Sequence, residues 1–381
     1  MTMSGMDDDR VLPVEIVHLH VYDIGRTVDL KQAASLIPAH PDLGLAKRRD
    51  TPASLTLPKP LVLALNVEDC DAACFERFSA YAKIYYDGAL TLVIRYRTVA
   101  AFKDLAALAD MRVGDKVDSP TISDFAAKSF SMVCDAIKTT VTGFKENIAG
   151  DRETYTAFCL LECPGDDPEA FLARNRDGAA SLISGEKPGV LHESQIAQVL
   201  AKPFCYRKGD LAVFDMDRCL IIDPERDYED LLLIAEHANY RLNELRVLDG
   251  LLDGWLDEAE RDVRKLYLSG GKTRSGARIV RLKLARLQSL RFDALFTLEN
   301  LDNSSKIIGD YFLGTVYDRL CTIFNTEGWK VSVERRLDAL QNVYEMLKYD
   351  TGERRMLTLE VVFIIVCIFF PILQIVQVMV Q

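Results

Sequence analysis

Read for its spacing of apolar positions, the chain changes character twice, from mixed strand and helix patterns to long helical patterns, and then to an uninterrupted apolar run. Glu15–Tyr22 (EIVHLHVY) alternates with period two, which predicts a strand that places His18 and His20 on one face. Asp29–Ile37 reads as a short helix, and Pro38–Pro60, with five prolines around the basic run Lys47, Arg48 and Arg49, as a loop or linker. From Leu61 the pattern predicts a strand (LVLALNV), an amphipathic helix Cys70–Ala80, and a hairpin turning at Asp87-Gly88 between KIYY and LTLVIRYR. Helices Val99–Asp110 and Ile122–Lys145 follow, the second behind the Ser119-Pro120 break. A related order returns with a strand at Tyr155–Glu162, helices at Asp167–Ser184 and Glu193–Ala201, and strands at Pro203–Tyr206, Leu211–Asp215 and Arg218–Asp223. The repeated plan suggests a duplicated module, with α+β units over 1–150 and 151–224.

Beyond Pro224 the period becomes helical. Ala235, Ala238, Leu242, Leu245, Leu252, Leu256, Ala259, Val263 and Leu266 follow coiled-coil spacing, interrupted at Asp249. Ser269-Gly-Gly and Ser275-Gly break this arm, a second is expected over Ala277–Leu301, and a third begins near Lys306. In the third, Val333, Leu337, Leu340, Tyr344 and Leu347 continue the spacing. With no strong turn signal between Tyr349 and Val361, this arm is expected to run on into the final segment, giving helical arms over 225–360.

Val361–Gln381 (VVFIIVCIFFPILQIVQVMVQ) carries no charge. At ~1.5 Å per residue it makes a helix of roughly 30 Å, the thickness of a bilayer's hydrocarbon core, and it is read as a transmembrane helix. Arg354 and Arg355 favour retention of the preceding chain in the cytoplasm, so the expectation is a tail-anchored protein of the inner membrane, crossing once at 361–381. Glu360, Cys367, Gln374 and Gln381 recur every seven positions and form one stripe, with Gln377 one turn from two of them. Amide side chains in lipid seek partners on other helices, which points to a homo-oligomer; the alternative is that Gln377 and Gln381 meet headgroups at the far interface.

Composition supports a globular protein: 49% hydrophobic and 27% charged residues among 381. The net charge of −11 disfavours general nucleic-acid binding. Against it stands a local basic run on the arms, with Arg264, Lys265, Lys272, Arg274, Arg278, Arg281, Lys283 and Arg286 at its centre. Either this is a solvated face balanced by the acids of Asp249–Asp262, or it meets an anionic partner such as lipid headgroups or ribosomal RNA. The opening MTMSGMDDDR lacks the features of a secretory or transit peptide, and the nine cysteines read as reduced thiols.

Four kinds of motif carry candidate chemistry. His18 and His20 have the geometry of a metal pair but no third ligand nearby in sequence. Ser269–Thr273 (SGGKT) is similar to a phosphate-binding loop but has Leu266 where that motif requires glycine. Cys70/Cys74 and Cys159/Cys163 lack the usual zinc spacing. Leu211–Ile221 (LAVFDMDRCLI) resembles the nucleophile motif of haloacid-dehalogenase-type phosphatases, which would make Asp215 the nucleophile and Asp217 the acid/base. Arg218 and Cys219 replace its glycine and threonine, and the residues after the turn read as another strand, so a hairpin with a polar turn is expected.

The run Tyr311–Phe370, with Tyr317-Asp318, Val333, Leu337-Asp338, Glu345-Met346-Leu347, Arg354-Arg355 and Leu359-Glu360 ahead of IIVCIFF, resembles the required-for-meiotic-nuclear-division family. The hairpin GDLAVFDMDRCLII resembles that family's strand pair more loosely. The resemblance implies an α+β region, paired helices and one C-terminal membrane helix, with no known catalytic residues and a tethering role. The position after the Leu-Glu pair, commonly tryptophan in the family, is Val361 here. Long helices leading to FFPI also resemble CorA-type magnesium channels; their Gly-Met-Asn loop is not found here, and conduction would require single helices with Gln374 and Gln381 lining a pore. The expectation is an α+β protein with long helical arms, without catalytic activity or cofactor, acting as an oligomeric membrane scaffold or tether.

Overall fold

The computed structural model describes residues 11–36, 60–65, 67, 76–109, 111–113, 119–145, 152–165, 167–268, 282–292, 294, 295, 298 and 310–380, with the backbone alone at 266–268, 350–355, 357, 358 and 370–380. Two compact units emerge, one from residues 1–247 with 301–327 and one from 248–300 with 328–381.

The first unit is built on β1 (Val11–Asp23), whose interior position follows from its apolar content on both faces. After it come β2 (Thr27–Val28), α1 (Leu30–Leu36), β3 (Leu61–Ala64), β4 (Arg77–Ile84) and β5 (Ala89–Ala101). Next are α2 (Leu105–Leu108), α3 (Ile122–Ile137), β6 (Val141–Thr142), β7 (Arg152–Leu160), α4 (Pro168–Arg174), α5 (Arg176–Ser184) and α6 (Glu193–Val199). The hairpin β8 (Leu211–Phe214) and β9 (Arg218–Ile222) leads into α7 (Glu229–Leu268). Seven strands form one sheet in the order β3-β4-β5-β1-β7-β9-β8. All its pairs are antiparallel except β7 with β9, which are joined through the helices α4 to α6 and β8.

This sheet joins what the sequence divides at residue 150. β1 pairs with β5 on one side and with β7 on the other, so the segments 1–150 and 151–224 share one sheet and one core instead of forming two modules. Strand pairing between distant segments overrides the local resemblance of their element orders. The expected helix Cys70–Ala80 is likewise corrected: residues 77–80 belong to β4, a long partner of β5, while 70–75 lie outside the described residues. The helix expected over Val99–Asp110 begins only after Ala101, because β5 continues pairing with β1 to that point. α3 starts where Thr121 and Asp124 cap each other reciprocally, and it stops at Ile137 rather than Lys145, giving way to a 3-10 turn and the β-branched pair of β6.

The even-numbered residues of β1 face α3, α4 and α5, forming a core with Val14, Ile16, Phe130, Phe158, Phe171, Leu182 and Leu220. The opposite face carries Glu15, Lys83 and Arg95, and the first part of α7 supplies their partners. Arg95 donates to both oxygens of Glu229 at 2.9 and 2.6 Å and to Glu15 at 2.7 Å, while Tyr228 Oη donates to Glu15 at 2.6 Å. Lys83 pairs with Glu236, and Asn243 Nδ2 donates to the Val21 carbonyl at 2.8 Å. α9 (Tyr311–Ile323), capped by Asp310 and ended at the left-handed Asn325, completes this unit.

The second unit is helical: the remainder of α7, the helical residues 282–292 (α8) and the body of α10 (Thr326–Val380). Leu252, Ala259, Leu287, Leu290, Val333, Leu337, Leu340 and Tyr344 are its buried seam. Asp249, where the heptad spacing breaks, accepts Arg336 Nε and Ser332 Oγ, each at 3.2 Å. The expected third arm thus comprises two helices, and the second of them continues unbroken to Val380.

Among the described residues no helix is long and apolar enough to cross a membrane. Those residues include the side chains of Val361–Phe369 but not those beyond, so the apolar stretch they present is shorter than the ~20 residues a span requires.

Candidate functional site

The period of β1 and the register of its neighbours bring polar groups from three strands onto one face. His18 pairs with Thr156 of β7, and Thr156 with Arg218 of β9, making one row across the sheet. His20 opposite Thr154 makes the next row, and Tyr22 opposite Arg152 the third. β9 begins at Arg218, so the sheet narrows here, and Thr154 is exposed. Over these rows α3 begins at Ile122 and Ser123, and α5 ends at Ser184 and Gly185. A cavity of about 530 Å³ lies between them, lined also by Ala109 and Asp217.

Its floor is rigid. His18 Nδ1 lies 3.1 Å from Thr156 Oγ1, and the His18 ring stacks on Tyr96 with centroids 5.8 Å apart. Arg152 Nη2 donates to Ser123 Oγ at 3.1 Å, and Arg218 Nη1 to the Leu182 carbonyl at 3.2 Å. Ser184 Oγ donates to Asp215 at 3.3 Å, fixing the hairpin turn beside the cavity. Among the described residues His18 Nε2 and both ring nitrogens of His20 have no hydrogen-bond partner, although both residues are only 5% exposed. Each such buried polar atom costs about 1–3 kcal/mol, which an interior core site would not tolerate without return.

Burial pulls the His18 imidazole down to about 3, helped by His20 and Arg218, and the His20 imidazole down to about 4, helped by Arg152. On the opposite face burial takes His237 down to about 4 against the pull of Glu236. All three are neutral in the folded protein at pH 7. Below the ordinary histidine value of ~6.5 the unfolded chain binds protons that the folded one refuses, so stability falls with acidification, by up to ~1.4 kcal/mol per pH unit for each histidine. We expect urea unfolding of the His18→Gln/His20→Gln variant to depend less steeply on pH between 6.5 and 4 than that of the parent chain. Parallel slopes would refute neutral burial of this pair.

The shared face of His18 and His20 follows from the alternation of β1, which offers the geometry of a metal pair without a third ligand nearby in sequence. No group of three potential metal-binding side chains occurs among the described residues, and the neighbours that do assemble are cationic. Arg152, Thr154 and Thr156 alternate on β7 as the histidines do on β1, a signal present in the sequence. Its meaning depends on a pairing that the sequence does not display.

Other candidate residues are dispersed. Asp215 and Asp217 lie in the turn of an edge hairpin, Asp217 at the cavity, rather than after the central parallel strand that a phosphatase sheet would supply. Cys159 is fully buried and burial holds its thiol well above the usual range, while Cys163 is half-buried. Cys70, Cys74 and Ser269–Thr273 lie outside the described residues. Of the basic run, Lys283 turns toward α7 and pairs with Asp262 and, at 2.8 Å, with Glu258, and Arg264 pairs with Glu260 at 2.7 Å. Lys265 is on α7 and Arg286 is exposed on α8; Lys272, Arg274, Arg278 and Arg281 lie outside the described residues. The described part is therefore partly neutralised by acids that precede it in the chain, Glu260 one helical turn before Arg264, and Glu258 and Asp262 on α7 opposite Lys283. Glu360 and Cys367 are exposed on α10; Gln374 and Gln377 are on its backbone, and Gln381 lies outside the described residues.

Comparison with known proteins places every cavity residue inside one matched region. A protein of Methanocaldococcus jannaschii, "Uncharacterized protein MJ0711", is 28% identical over 209 residues, 55% of this chain and 61% of the relative, so the chain spans less than two thirds of that protein. No solved structure matches. The model of the "Uncharacterized protein MJ0711, N-terminal domain" family matches residues 14–229, more than half of the chain, and the protein belongs to that family.

Proposed function

We propose that the protein is a membrane-anchored, oligomeric scaffold or tether, in which α10 holds the chain at a bilayer and the α+β unit binds rather than transforms its ligand. The observation that carries this reading is the exposure of α10 at Val361–Phe369. Val361, Phe363, Ile365, Ile368 and Phe369 are each at least half exposed, and consecutive residues advance ~100° around a helix, so no face of this stretch is covered. A helix apolar on all sides is stable when lipid or a large core surrounds it, and water would penalise this surface by about 25 cal/mol per Å². The continuity of α10 to Val380 and the absence of charge from Val361 to Gln381 support a span that begins here. Arg354 and Arg355 support a cytoplasmic location for the preceding chain at the inner membrane.

The stripe Glu360, Cys367, Gln374, Gln377 and Gln381 would then meet a second copy within the membrane, and Arg264, Lys265, Arg286 and the basic residues 272–281 would face headgroups or RNA. The resemblance of Tyr311–Phe370 to a family of singly anchored proteins agrees with this arrangement.

We expect the full chain to sediment with membranes after an alkaline carbonate wash, and a chain ending at Arg355 to remain in the supernatant with far-ultraviolet circular dichroism reduced only by the helical residues removed. Full-length protein in the supernatant would overturn the reading.

A further inference from the structure

We propose that the cavity floored by His18, His20, Arg152 and Arg218 binds the phosphoryl group of a small phosphate ester or pyrophosphate. This inference goes beyond the membrane reading and does not depend on it, since every residue involved belongs to the sheet unit.

The chemistry of the lining selects the ligand. Two guanidinium groups and two imidazoles share it with the hydroxyls of Ser123, Thr154, Thr156 and Ser184, while Asp217 is the one carboxylate among the described lining residues. With both histidines neutral the arginines leave a net positive site, which repels metal cations and attracts anions. Each arginine is anchored by a bond to the wall, to Leu182 O or to Ser123 Oγ, and a guanidinium carries five N–H donors, so further donors remain to be offered in a fixed orientation. Gly185 permits this at Arg218: a Cβ there would stand 3.4 Å from the guanidinium carbon, on a backbone with φ of +72°.

Donors reach this space from β1, β7 and β9, and the hydroxyl of Ser123 lies at the start of α3. That distribution suits a tetrahedral oxyanion, with oxygens in several directions, better than a planar carboxylate. Nε2 of His18 and one of the two unpartnered nitrogens of His20 would gain a partner, since a neutral imidazole can donate one N–H to such an oxygen. No phenylalanine, tyrosine or tryptophan is among the described lining residues, and the hydroxyls suit a polyol or a second phosphate. The cavity volume of about 530 Å³ falls in the range of small-ligand sites and accommodates more than a single phosphate.

The test is calorimetric titration of the full chain in detergent micelles with inorganic pyrophosphate, with inorganic phosphate, and with dihexanoyl phosphatidic acid as a soluble lipid headgroup. We expect saturable binding of pyrophosphate or phosphatidic acid, the tighter of the two identifying a free or a lipid source, and weaker binding of phosphate. Arg152→Gln and Arg218→Gln should each weaken binding about tenfold or more, as expected for loss of a charge-assisted donor, while the unliganded thermal midpoint changes little. His20→Gln should weaken it as well, at nearly unchanged side-chain volume. Absence of saturable binding to all three probes overturns the proposal, as does equal affinity in the parent chain and both arginine variants. A protein that sediments with membranes yet binds no phosphate would refute this site alone.

Discussion

Glu236→Ala is expected to destabilise the sheet unit by about 3–5 kcal/mol, because it strands a buried ammonium. Lys83 on β4 is 6% exposed and Glu236 on α7 is 2% exposed, and Tyr85 Oη donates to the same carboxylate at 2.8 Å. Burial works against the charge on Lys83, but the Glu236 carboxylate outweighs it and holds the ammonium above its usual range. Burial likewise opposes charge on Glu236, whose carboxyl Lys83 nevertheless holds below the usual value. Removing one partner therefore leaves a cost with no return, whereas removing both does not. Lys83→Met/Glu236→Leu should recover most of the loss in urea unfolding. A single Glu236→Ala variant within ~1 kcal/mol of the parent would show that water reaches this pair.

Gly88→Ala is expected to cost a similar amount for a different reason. Gly88 turns the β4–β5 hairpin at φ of +93°, a conformation costly for a side chain, and a Cβ there would lie 1.9 Å from the Gly25 carbonyl oxygen. Ile24 N donates to the Gly88 carbonyl at 2.9 Å, so neither backbone can retreat without breaking the contact between hairpin and β1–β2 turn. Strain and displacement together give about 3–5 kcal/mol. Gly209→Ala, where no atom lies within 4 Å of the added carbon, is the control and should change stability by less than ~1 kcal/mol. Equal thermal midpoints for the two variants would contradict the steric argument.

The hairpin at Asp87-Gly88 was legible because its signal is local: a turn dipeptide that accepts positive φ between alternating apolar residues. The long helices were legible for the same reason, since coiled-coil spacing over Ala235–Leu266 and Val333–Leu347 repeats within a few turns. The stretch Arg77–Ala80 reads as helix because its alternation is weak, and its state is decided by pairing along the full length of the hairpin, as in Ser79↔Arg95. Of the candidate site, the shared face of His18 and His20 followed from period two. Arg152 and Arg218 came into view only through register.

What the sequence by itself determined is what depends on neighbours within one or two turns of chain: the strand alternation of β1, the hairpins, the helical arms, and the apolar run from Val361 to Gln381. What the tertiary structure alone decided is which strands meet, and hence that residues 11–23, 152–160 and 218–222 form adjacent rows in one sheet. The physical reason is that strand hydrogen bonds are made by backbone groups nearly identical in every residue, so the partner is chosen by burial of whole faces against α3, α5 and α7. The same packing brings two arginines to two buried histidines.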